Sequence, residues 1–135
     1  MVRKYVKKSK DWRLKKKLDV LVSEFVRRRD KGVCYTCGTR YDWRKMDAGH
    51  YIKRSCWRLR FDIRNIHTQC KRCNSYLHGN MDKYALHLIE DYGVEILQEF
   101  NRLKDMPEKK WAVKELEDLV KYYEDKIKQL DNKKV

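Results

Sequence analysis

A chain of 135 residues is long enough for one compact domain with extra terminal helices and too short for a second core. Its 41% hydrophobic residues can build that core, but 40% are charged and the formal balance is +14, which favours a polyanionic partner, nucleic acid first, through phosphate neutralisation and counterion release. No run of about 18 apolar residues occurs and the basic amino terminus has no apolar signal core, so neither membrane insertion nor secretion is expected and a cytoplasmic location is.

The first seventeen residues carry nine basic side chains, from Arg3 to Lys17, against the single acid Asp11; this arm is expected to contact phosphates or stay mobile. From Asp11 as N-cap, Leu14, Leu18, Leu21 and Phe25 recur at helical spacing until Gly32 ends the pattern. Residues 33–61 are short, irregular and rich in aromatic and β-branched types, with Cys37-Gly38 and Ala48-Gly49 marking turns or close backbone approach, and predict short strands and a loop. After Cys70 the pattern predicts a short helix, then one capped by Asn80 over Met81–Tyr92 and ended by Gly93, then a third from Val94 to Leu103. Pro107 suits the first turn of a last helix in which Val113, Leu116, Val120, Tyr123, Ile127 and Leu130 alternate spacings of three and four. That seam predicts either a homodimer interface or packing onto the parent domain. The chain thus divides into a basic arm and helix (1–32), a central unit (33–103) and a C-terminal amphipathic helix (104–135).

Four of the five cysteines form two Cys-x-x-Cys pairs, Cys34/Cys37 and Cys70/Cys73. In a chain without secretion signals this spacing favours metal thiolates over disulfides, because a tight turn brings the i and i+3 sulfurs to one side and two such turns complete a tetrahedron. A closed set of four thiolates is a structural zinc site with no open position for hydrolysis, so chemistry is expected between the pairs. Cys56, outside both, reads as a small core residue.

Between the pairs stand Asp47-Ala48-Gly49-His50 and Asn65-Ile66-His67, followed at the second pair by Cys70-Lys71-Arg72-Cys73-Asn74, with Gly79-Asn80 nearby. Over about residues 33 to 100 this series resembles HNH nucleases of the His-Me finger superfamily, most of all the NinG/Rap recombination proteins of lambdoid phages. The resemblance implies an α+β fold, a small ββα-metal core around a four-cysteine zinc knuckle flanked by N- and C-terminal helices, and cleavage of branched DNA such as a Holliday junction.

Phosphodiester hydrolysis needs a deprotonated water in line with the leaving oxygen and a cation to stabilise developing charge. Neutral His50, with an ordinary pKa of about 6.5, suits the first task, so cleavage is expected to rise between mildly acidic and neutral pH. A hard ion, Mg2+ or Mn2+, keeps most of its waters and needs few protein oxygens; the family pattern makes Asn74 its main ligand, with Asp47 and His67 as secondary candidates. Asp47 stands three residues before His50, where many relatives place an Asp directly before it. Asn65 is expected to hold His50 through backbone hydrogen bonds across the hairpin, and Lys53, Arg54, Arg58, Arg60, Lys71 and Arg72 to contact DNA phosphates. The alternative is a noncatalytic zinc-finger DNA-binding protein in which His50 is structural.

Overall fold

The computed structural model describes Lys4 and residues 6–133; Arg3, counted with the basic arm, lies outside them. Six elements follow in order: α1 (Lys10–Arg29), β1 (Asp47–His50), β2 (Ile66–Gln69), α2 (Met81–Tyr92), α3 (Glu95–Lys104) and α4 (Val113–Asn132), with short helical turns at Trp43–Lys45, Ile63–Asn65 and Arg72–Tyr76. The fold is α+β. Among the described residues, no helix is long and apolar enough to cross a membrane.

The two strands pair antiparallel, Gly49 opposite His67 and His50 opposite Ile66. Successive side chains on a strand point to opposite faces and directly paired residues share one. His50 and His67 are therefore sent to different sides of the hairpin by register alone. On one side, Ile66 joins Leu18, Val22, Phe25 and Val26 of α1, Phe61, and Leu116, Val120 and Tyr123 of α4 in a single core. On the other, Tyr84 and Leu88 of α2 and Ile96 and Phe100 of α3 pack with Ile52 and Leu59 from the loop between the strands.

The α4 seam is thus turned inward. Leu116, Val120 and Tyr123 bury against α1, and Arg28–Asp131 and Lys17–Glu124 ion pairs flank the contact. α4 packs onto α1 and the hairpin, and residues of 1–32, 33–103 and 104–135 share hydrophobic cores.

Two boundary expectations and one capping expectation need correction. Ser9, not Asp11, caps α1: its Oγ accepts the Trp12 N–H at 3.1 Å, while Asp11 sits in the first turn and pairs with Lys15. Pro107 lies outside α4, which starts at Val113. The intervening Trp111 lies outside the helix and donates its Nε1–H to the Trp57 carbonyl at 3.0 Å, and the Glu115 carboxylate accepts the Ala112 N–H. Asn80 does precede α2, but in a left-handed conformation, φ 49°, and its amide makes no cap hydrogen bond; it serves the cysteine knuckle instead.

Gly49 is required by close approach. A Cβ there would overlap the Oε1 of Gln69, a fully buried side chain whose Nε2 is held by the Gly79 carbonyl at 2.8 Å and by the Thr36 hydroxyl. Gln69 cannot swing away without breaking both bonds. Gly49→Ala is expected to destabilise the domain by about 1–3 kcal/mol, read as a lower urea midpoint.

Candidate active site and metal centre

The four cysteines come together as their spacing predicts. Cys34, Cys37, Cys70 and Cys73 place their sulfurs within 4.8 Å of one another, and the Cys37–Cys70 separation is 3.7 Å. A zinc tetrathiolate with Zn–S near 2.3 Å puts its sulfurs about 3.8 Å apart, so the cluster has the dimensions of that site. Donors converge on it: the Cys73 N–H on Cys70 Sγ and the Asn80 Nδ2 on Cys73 Sγ. Although burial opposes ionisation of Cys34, hydrogen bonds from Thr36 and nearby backbone draw its thiol down from the ordinary value. The four cysteines could hold a zinc ion. Cys56 packs, partly buried, against the second core.

Beside the knuckle, α1, β1, the loop after β1 and the Arg72–Tyr76 turn enclose an open cleft of about 780 Å³. His50, Asp47 and Asn74 all line it, as do Lys53, Arg54, Arg60 and Lys71. His50 Nε2 lies 2.9 Å from the Arg60 carbonyl oxygen. A carbonyl only accepts, so Nε2 carries the proton and Nδ1 holds the ring's lone pair. Burial pushes the imidazole below its ordinary value of 6.5, and the guanidiniums of Arg54 and Arg60 add to this, against the Arg60 carbonyl and the charge of Asp19. His50 is neutral at pH 7.

Asn74 donates its Nδ2–H to Asp47 Oδ2 at 3.0 Å, which leaves the amide oxygen free of that bond. The other Asp47 oxygen pairs with Lys71. Asp47 and Asn74 are therefore locked together at the cleft wall and offer oxygens of the kind a hard divalent ion takes.

Asn65 stands outside the cleft. It is fully buried; its Oδ1 accepts the Ile52 N–H at 2.7 Å and its Nδ2 donates to the Ile52 and Leu59 carbonyls at 3.0 and 3.2 Å. One amide thus clasps both ends of the loop that carries Arg60, whose carbonyl orients His50. Asn65 makes no contact with His50 or the cleft; its bonds go to Ile52 and to Leu59, the residue before Arg60. Asn65→Ala leaves the Ile52 N–H and carbonyl without their partner, while the Leu59 carbonyl keeps the Asp62 N–H, and is expected to cost about 1–3 kcal/mol; a melt would show it, with Asn65→Asp recovering only part.

His67 is placed elsewhere than the secondary-ligand expectation had it. It faces α2, buried, stacked on Tyr35 at 3.8 Å between ring centroids. The Tyr84 hydroxyl donates to the Gly49 carbonyl at 2.7 Å, so His67 Nδ1–H donates to the Tyr84 oxygen and Nε2 accepts from the Tyr92 hydroxyl, each at 3.1 Å. Its single lone pair is taken. Burial, with the Arg29 charge, holds this imidazole down at about 4. Arg58 also leaves the cleft, reaching across to the Pro107 carbonyl at 2.9 Å, and Arg72, between Cys70 and Cys73, is exposed and absent from the cleft wall.

Sequence reasoning missed the side of the cleft supplied by α1. Asp19, Ser23 and Arg27 line it together with Arg44, and Asp19 bridges Arg60, at 2.7 Å, and Arg54, at 3.2 Å. The signal was present: Asp19, Ser23 and Arg27 recur every four residues and so share one polar face of α1.

A family model described as NinG, Bacteriophage Lambda NinG protein, matches residues 1–133. The chain belongs to the NinG family. The match runs well past the 33–100 stretch carrying the motifs, in keeping with α1 and α4 sharing the hairpin's core. Among curated relatives, the protein ninG of Salmonella phage P22 is 37% identical over 111 residues, which cover 81% of this chain and 53% of that protein. The protein ninG of Escherichia phage 933W is 37% identical over 113 residues, 82% and 55% of the two chains, and that of Escherichia phage lambda 35% identical over 113 residues, 82% and 54%. The chain spans about half the length of these curated NinG relatives. No solved structure matches it.

Proposed function

We propose that the chain is a divalent-metal-dependent DNA endonuclease, its hairpin and Asn74 turn forming a His-Me finger (HNH) site beside a structural zinc knuckle, and that it cuts branched recombination intermediates. One observation carries the reading: His50 is a neutral imidazole with its Nε2–H fixed on the Arg60 carbonyl and its lone pair on Nδ1, on the wall of a basic cleft shared with Asn74 and Asp47. That is the equipment of a general base. The NinG resemblance supplies the preference for branched DNA, and the +14 charge supports a nucleic-acid partner.

In this mechanism His50 Nδ1 accepts a proton from a water molecule as its oxygen attacks the phosphorus, and the opposite P–O bond breaks, its leaving oxygen taking a proton from solvent. Arg54, Arg60, Lys53 and Lys71 hold the phosphate, Asn65 keeps the loop that orients the base, and Asn74 and Asp47 are the residues that would hold Mg2+ or Mn2+. Such an ion supplies charge stabilisation to the phosphate and leaving oxygen when bound.

Incubation of the protein with supercoiled plasmid and with linear, forked and four-way DNA, in Mg2+ and in EDTA, tests the proposal. Cation-dependent nicks, fastest on the branched forms, are expected; binding without nicks on any substrate would leave a zinc-finger DNA-binding module. The pH profile gives a second check. The base works only when neutral and its pKa is depressed, so the rate should fall with acid through a value below 6.5 and stay level above neutrality. A limb centred above 7 in a single-turnover profile would contradict the role of His50.

A further inference from the structure

Trp43, in the turn between α1 and β1, gathers three cations. The guanidinium carbons of Arg27, Arg28 and Arg44 lie 5.1, 5.7 and 4.7 Å from its ring centroid. The ring face attracts each of them, but three like charges on one indole repel one another and call for counter-charge. Arg28 has it, from Glu24 and Asp131. Arg44 has only an exposed pairing with its neighbour Asp42, at 3.4 Å. Arg27 forms no ion pair among the described residues: its Nε donates to the Ser23 carbonyl and hydroxyl at 3.2 and 3.1 Å, and one terminal nitrogen reaches the Trp43 carbonyl at 3.4 Å. Burial works against this cation, lowering its pKa, with the charges of Glu24 and Asp47 acting in the opposite sense without forming an ion pair.

Arg27, Arg44 and Ser23 line the same cleft as His50 and Asn74. The other two arginines of the cleft, Arg54 and Arg60, are already bridged by Asp19. A part-buried guanidinium with no carboxylate in ion-pair contact among the described residues, beside an exposed one on the same indole, is a site with room for a further anion. We propose that Arg27 and Arg44, held by Trp43, form a second phosphate subsite of the cleft, which takes a nucleic-acid backbone phosphate near the one presented to His50. The placement beside the scissile phosphate rests on the nuclease reading; the binding itself does not.

The test is affinity for a short fluorescein-labelled DNA duplex, measured without added divalent ions or chelator across a salt series, with His50→Ala as parent. Each phosphate contact contributes about −0.9 to the slope of log K against log salt, so Arg27→Gln and Arg44→Gln are each expected to flatten it by about 1 and weaken binding roughly 5- to 10-fold. Arg27→Lys should restore the slope. Trp43→Leu, which alters no charge, should lose affinity as well, and Lys121→Gln, on exposed α4 surface, should change neither quantity. Unchanged slopes in both glutamine variants overturn the subsite. Should Arg27→Gln melt before binding is measured, Arg44→Gln decides, because that side chain is two-thirds exposed. Wild-type nicking in Mg2+ is scored separately: no nicks with flattened slopes sinks the nuclease reading alone, and nicks with unchanged slopes sink the subsite alone.

Discussion

Replacing His50 with alanine is expected to slow phosphodiester cleavage by about 100- to 10,000-fold, the usual contribution of a positioned general base, while DNA affinity stays within about twofold of wild type. The asymmetry follows from the ring's connections. Its Nε2–H is used on the Arg60 carbonyl, so its contribution to the cleft at neutral pH is an uncharged lone pair, and removing it takes away no phosphate contact. The cationic side chains that line the cleft remain. Single-turnover rates and binding isotherms on the same branched substrate separate the two quantities. Cleavage that survives in His50→Ala at more than a tenth of the wild-type rate would remove the imidazole from the chemistry.

Loss of the knuckle's metal is expected to have the largest effect on stability. The apparent free energy of structural zinc binding is about 10–16 kcal/mol at neutral pH, comparable to or larger than the roughly 5–15 kcal/mol by which a whole domain is stable. Cys73 is fully buried, in a cluster joining the segment after α1 to the turn that carries Asn74. Cys73→Ser, or exhaustive chelation, should therefore release one zinc per chain and lower the melting temperature by roughly 15 °C or more. It should also abolish cleavage, because Asn74 loses its place beside Asp47. Metal analysis by plasma emission alongside thermal melts is the measurement. A purified protein with no bound metal that melts at the same temperature as its Cys73→Ser variant would refute the zinc assignment.

Much of this arrangement is legible from local spacing. Cys-x-x-Cys turns bring their own sulfurs together, so the four-cysteine cluster followed from eight residues. The α2 boundaries followed from a polar residue before an apolar stripe and a glycine after it. Longer-range facts were hidden. Nothing local sets the β1–β2 register, and that register alone separates His50 from His67. The hydroxyls of Tyr84 and Tyr92 that occupy His67 lie on a different element. Pro107 carried a helix-start signal that the Trp111 contact with Trp57 overrode. The α1 wall of the cleft was visible as a polar face, but a polar helix face is most often plain solvent-facing surface; only packing against α4 and the hairpin turns Asp19, Ser23 and Arg27 inward along one side of the site.

Asp19 gives the cleft an occupant of its own. Its carboxylate, anchored on α1, bridges Arg54 and Arg60, and any incoming anion competes with it at the high effective concentration of a tethered group. A solitary phosphate is poorly equipped to win that exchange. A polymer arriving with several charges along its length can hold neighbouring cations while it displaces the resident acid, so on the proposed nuclease reading the same pair of arginines would admit strands in preference to small ions.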